Sequence, residues 1–230
     1  MIFDPVYLIF IIPGLIVGLL AQFFLWYAYG RFSRVSASSG VTGFDAAKII
    51  NEGEGFGVEF ITTPGKLNDH YNPVSHVVNI SSDNATNSSV ASIAVVAHEF
   101  GHVQQKINAS SLFSIRSALV PAVNLGSNLG YILIVIGIVL SFFELSVVGL
   151  ALFSLTTIFS LVTLPIEIDA SRRGLNLLFF LLKKYNLVAV DQMGGARAVL
   201  SAAAMTYVAA LISSLGQLLY FFMRVQGSKN

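Results

Sequence analysis

Four long stretches of this chain are almost free of charge, and they leave it few folds to choose from. Tyr7 to Tyr29 carries no charged residue, and Ala118 to Ile168 carries only Glu144 and Glu167. The second run is too long for one crossing and reads as two helices turning near Ser141–Ser146. A fourth stretch runs from roughly Leu200 to Phe222. About 20 helical residues cross a bilayer, and inside it each backbone N–H and C=O must be satisfied within the segment, so such runs read as membrane helices. Composition agrees: charged residues are 11% of the chain, against about 25% in a soluble domain. The first run is unlike a signal peptide, since Arg31 and Arg34 follow it and no basic residue leads it.

The basic residues set an orientation. Arg31, Arg34, Lys48, Lys66, Lys106 and Arg116 lie between the first and second spans, and Arg172, Arg173, Lys183, Lys184 and Arg197 between the third and fourth. Only Arg224 and Lys229 lie on the other side, so the positive-inside rule expects both loops in the cytoplasm and both termini outside. The sequons at Asn79, Asn84, Asn87 and Asn108 then stay unmodified. The chain has no cysteine, which excludes disulfides and Cys-ligated metals, and its net charge of +1 gives no support for nucleic-acid binding.

This divides the chain into an N-terminal membrane helix (1–30), a hydrophilic region (31–116), a membrane hairpin (117–168), a second cytoplasmic segment (169–199) and a last membrane helix with its tail (200–230). In the hydrophilic region, Thr42 to Ile50 reads as a short helix ended by Gly53 and Gly55. Val58 to Thr62 alternates as a strand, Thr63 to Lys66 is a turn, and His76 to Ile80 is a second strand paired with the first. A helix capped by Ser88 or Ser89 runs to about Ile107; its apolar part, Val90 to Ala97, is too short to span. Leu175 to Leu182 reads as another short helix, ended by Lys183-Lys184. Gly126 and Gly130 form a small-xxx-small pair in the second span, and Asn124 and Asn128 share one face of it.

The chemistry concentrates at His98-Glu99-Phe100-Gly101-His102. Side chains four apart on a helix stack on one face, so two imidazole nitrogens can reach a point about 2 Å away, as zinc requires. Glu99 lies a further ~100° around, close enough to take a proton from a water at the metal's open position. Small Gly101 leaves room on that face. The bland alternative is a helix that happens to carry two surface histidines. A catalytic zinc usually has three protein ligands. Glu167 is the leading candidate for the third, an ionisable group at the end of an apolar span, where it is costly unless used. It could instead pair with Arg172 or Arg173, and His70 and His76 are rival ligands. Asp169 is a candidate partner for a ligand imidazole or bridge to an arginine, Arg172 among them.

Several segments together resemble the YugP-like membrane zinc metallopeptidases of prokaryotes: Asp69 to Pro73, Val77 to Ser81, Ala94 to Gln105, Ile166 to Arg173 and Val199 to Ala209. That family is similar, more distantly, to the HtpX and CAAX-protease peptidases, which take a third ligand from a Glu-x-x-x-Asp pattern. Glu167 matches its glutamate, whereas the aspartate position is Ser171 here. The resemblance implies a gluzincin-type peptidase with His98, His102 and Glu167 on Zn2+ and Glu99 as base.

The expected architecture is a mainly α membrane protein, with about four transmembrane helices and a small α+β zincin-like cytoplasmic catalytic region containing a short β-hairpin. The expected activity is a zinc-dependent endopeptidase at the cytoplasmic membrane surface. An intramembrane zinc protease and a non-catalytic metal-binding scaffold or regulator are the alternatives. Its expected partners are the lipid bilayer and peptide or protein substrates, membrane proteins among them. An extended substrate is expected along the edge of the His76–Ile80 strand.

Overall fold

The computed structural model describes residues 4–185 and 187–227, with side chains outside 180–186. In chain order the elements are α1 (Pro5–Phe32), α2 (Gly43–Glu54), β1 (Glu59–Thr63), β2 (His70–Asn72), β3 (Val77–Ser81), α3 (Ser82–Thr86), α4 (Val90–Ile107), α5 (Ser111–Val139), α6 (Phe143–Tyr185) and α7 (Met193–Gly227), the last preceded by a 3-10 turn, Val190–Gln192. Four helical segments are long and apolar enough to cross a membrane: α1, α5, Phe143–Phe179 and Val190–Gly227. The protein is a mainly α, multi-pass membrane protein.

The chain forms two compact units. One comprises Met1–Ala21, Ser111–Pro165 and Met205–Asn230. Its core gathers Ile134, Phe153, Tyr220, Phe221 and Val225, with Tyr7 and Phe10 packed against them. Backbones approach closely here, as membrane helices do when small residues line the seam. A Cβ on Gly130 would come 2.6 Å from the Phe153 nitrogen, and one on Gly149 2.6 Å from that of Ile134. The Gly126–Gly130 pair therefore does seat α5 on α6, and their connection turns at Ser141, whose φ is 54°. Asn124 and Asn128 are both exposed.

The other unit comprises Gln22–Ser110 and Ile166–Ala204. α2 starts in a capping box, Thr42 accepting from the Asp45 N–H while Asp45 accepts from the Thr42 N–H, and ends on Gly55 in the left-handed conformation. Ser89 caps α4 by accepting from the Ser92 N–H. The core under α4 is dry and tightly filled: Ile50, Val78, Ile80, Ile93, Val96 and Phe100 have no exposed surface.

Three expectations need correction. The sheet has three strands in the order β1-β3-β2, with β1 parallel and β2 antiparallel to β3. β3 is therefore the central strand and has no free edge for a substrate; the hairpin is β2–β3. Leu175 to Leu182 is not a separate helix, because α6 continues unbroken from Phe143 to Tyr185. The charges at 167–173 end the apolar run but break no backbone hydrogen bond, so the helix passes through them. The Lys183 and Lys184 side chains lie outside the described residues. α7 begins at Met193, seven residues before the apolar run that signalled it.

Candidate metal centre

α4 brings His98 and His102 to one face, their rings 4.8 Å apart between centroids. α6 supplies Glu167, which is 1% exposed. Glycines at the seam make the approach possible. A Cβ on Gly101 would come 2.9 Å from the Ala170 carbonyl carbon, and one on Gly174 would come 2.8 Å from the Ala97 oxygen. Gly101 thus makes room for the α6 backbone rather than for a ligand. One turn back along α6 from Ala170, the Glu167 Oε2 atom lies 3.3 Å from His98 Nε2 and 3.6 Å from His102 Nε2.

The far side of each imidazole is held. Gln105 Nε2 donates to the Ile166 carbonyl and to Asp169 Oδ2, both at 2.8 Å, so its Oε1 faces His102 Nδ1 at 2.9 Å. An amide oxygen can only accept, so His102 Nδ1 carries a proton and Nε2 is the nitrogen that faces Glu167. Ser171 Oγ holds His98 Nδ1 at 3.2 Å. A buried carboxylate oxygen facing two imidazole nitrogens needs a cation, a proton or a metal ion, between them. The donor set of two imidazoles and one carboxylate, with all three ligand atoms within 4.8 Å of one another, fits Zn2+ by its chemistry.

Asp169 reaches this centre indirectly. Its Oδ2 accepts from Gln105 and, at 2.7 Å, from Arg173 Nε. It does not touch a ligand imidazole, and the arginine it bridges to is Arg173; Arg172 is exposed and lies along a cleft between α6 and α7. His70 and His76 stand outside the cluster. His70 Nδ1 bonds the Asn68 carbonyl at 2.9 Å, and His76 Nδ1 bonds the Tyr71 hydroxyl. Gln105 escaped sequence reasoning, although its position three residues after His102 on one helix was the available signal. Ser171 occupies the position four after Glu167, where the related pattern has aspartate, and its hydroxyl contacts His98.

Glu99 is buried, and the Tyr71 backbone N–H donates to its carboxylate. Burial pushes its carboxyl up to about 7; His98 opposes the rise, the Glu167 and Asp69 carboxylates add to it, and the Tyr71 N–H opposes it.

The chain matches the family described as "Putative neutral zinc metallopeptidase" over residues 7–226. It is 35% identical, over 204 residues, to "Putative membrane protease YugP" of Bacillus subtilis, a match covering 88% of this chain and 89% of that protein. No solved structure matches significantly. With a family match along nearly its whole length and a His-His-Glu cluster whose donor atoms could hold a metal ion, the chain belongs to the neutral zinc metallopeptidase family.

Proposed function

We propose that the protein is a zinc-dependent endopeptidase working at the cytoplasmic surface of the membrane, with Glu99 as its general base and His98, His102 and Glu167 as the ligands. Zinc held there supplies a Lewis acid that polarises a scissile carbonyl and acidifies the attacking water. Glu99 accepts the proton of that water and delivers it to the leaving amine. The observation that carries this reading is the cluster itself: the candidate ligand atoms of His98, His102 and Glu167 lie within 4.8 Å of one another, and the buried Glu99 carboxyl directly follows His98 on α4.

Tyr71 connects the base to the sheet. A residue in a strand points its N–H and C=O the same way, so the Tyr71 carbonyl shares the edge that holds Glu99. β2 is an outer strand, and an extended peptide adding to it would lie across the ligand face of α4. The basic loops on either side of the membrane hairpin favour the cytoplasmic face.

Glu99→Gln removes the base and leaves every ligand in place. The variant keeps stoichiometric zinc and loses peptide or casein turnover by about 10²–10⁴-fold, the usual share of general-base catalysis. Turnover near the wild-type rate in a zinc-loaded variant would remove Glu99 from the mechanism.

A further inference from the structure

The cleft between α6 and α7 is a second feature with chemistry of its own. It encloses about 520 Å³. Arg172 and Asn176 line it from α6, and Arg197 from α7. Both arginines are exposed, and among the described residues no carboxylate comes within ion-pair distance of either. The nearby Asp169 Oδ2 is already committed to Gln105 and Arg173. Two unpaired guanidiniums facing one cavity leave their planar donor forks open to an oxyanion such as phosphate.

The rest of the lining is ordered along the helices. α6 runs from Ile168 through Arg172 to Asn176 toward its connection with α7, and α7 runs back from Arg197 through Leu200 to Ser201. Arg197 and Asn176 lie toward the connection, with Leu175 beside them and Arg172 half a turn or more further on. Beyond Ser171 and Ser201, the far end is apolar, with Ile168 and Ala204 where both helices enter their uncharged membrane stretches. A small soluble anion has no use for that apolar floor. A molecule with a phosphate at one end and a hydrocarbon chain at the other matches both ends at once, as expected for basic pockets between membrane helices.

We propose that this cleft binds an anionic phospholipid, its phosphate on Arg172 and Arg197 and its acyl chain along Ile168 and Ala204. The assignment is independent of peptidase activity.

The test uses the full-length, zinc-loaded protein in detergent, with native mass spectrometry counting retained lipid after addition of dioleoyl phosphatidylglycerol or dioleoyl phosphatidylcholine. Wild-type protein retains one phosphatidylglycerol in preference to phosphatidylcholine. Arg172→Gln with Arg197→Gln weakens that retention at least tenfold with zinc content unchanged. Ser201→Trp, which fills the cleft but keeps both charges, weakens it to a similar degree, whereas Lys48→Gln on α2 has no effect. Equal retention of phosphatidylcholine, or phosphatidylglycerol held normally by the double arginine variant, overturns the proposal. Displacement of the lipid by millimolar inorganic phosphate identifies a site for free anions instead. Normal lipid retention with a KM raised only for carboxylate-bearing peptides makes the cleft a substrate pocket, which also overturns it.

Discussion

Gly101→Ala tests whether the seam between α4 and α6 sets the metal geometry. The added methyl would run into the Ala170 carbonyl oxygen and lie 2.9 Å from the carbonyl carbon and 3.1 Å from its Cα, against 3.4–4 Å for ordinary contact. The helices must separate by about 1 Å to admit it, and metal–ligand lengths tolerate only about 0.2 Å. Glu167 sits one turn from Ala170 on the same helix and moves with it. Overpacking of this kind costs about 1–3 kcal/mol, while replacing a helical glycine by alanine returns about 1 kcal/mol. Fold stability should therefore fall by no more than about 2 kcal/mol. Zinc affinity takes the strain without that compensation and should fall by about 5- to 150-fold. Competition against a calibrated chelator measures it, with Gly194→Ala, where a Cβ meets nothing within 4 Å, as the control. A Gly101→Ala protein that binds zinc within twofold of wild type would refute the argument that this contact positions Glu167.

Gln105→Leu removes the acceptor that orients His102 and should weaken zinc binding by about 10–100-fold, as loss of a ligand's outer hydrogen bond does; Asp169→Ala leaves the Gln105–His102 contact in place and should lose less, so equal losses in the two variants would count against that role. In chelator-stripped protein the Glu99 carboxyl titrates near 7 rather than its ordinary 4.5. The folded state then holds a proton that the unfolded state has released, so stability falls as pH rises from about 4.5 to 7, by roughly 3 kcal/mol in all. Thermal unfolding across that range should show this loss in wild type and not in Glu99→Gln; parallel profiles would mean that Glu99 does not carry it. Single cysteines at the exposed positions Ser75 and Asp191 should react with an impermeant thiol reagent only in opened cells, and one at Gly227 in intact cells. Labelling of Ser75→Cys from outside would invert the proposed sidedness.

What could be read from the sequence was what local rules govern. The spacing of His98 and His102, the Ser89 cap and the turn between α5 and α6 each depend on a few neighbouring residues, and the structure has them where the sequence indicated. Glu167 was reachable because an acid at the end of an apolar run stands out. Strand order was not reachable: β2 has three residues, and nothing in Val77–Ser81 says that both of its edges are taken. The continuity of α6 was hidden for the opposite reason. Hydropathy reports where lipid ends, while a helix ends only where its hydrogen bonds do, and the charged stretch from Glu167 to Arg173 satisfies those bonds as well as leucine does. Gln105 and Ser171 look like ordinary polar residues until the histidine nitrogens they hold are located.

The burial of Glu167 in the seam has a consequence for the life of the protein in the cell. A newly inserted chain that has not met zinc has only the His98 and His102 imidazoles to balance that carboxylate, at the place where α4 and α6 touch backbone to backbone. Metal capture would tie both helices to one ion, and so would act as a late maturation step for this part of the molecule. Zinc-starved cells should then hold a loosened form that membrane quality-control proteases recognise and remove. The amount of the protein, and not only its activity, would follow the zinc supply. A pulse-chase half-life that stays the same in starved and replete cells would show that the seam closes without the ion.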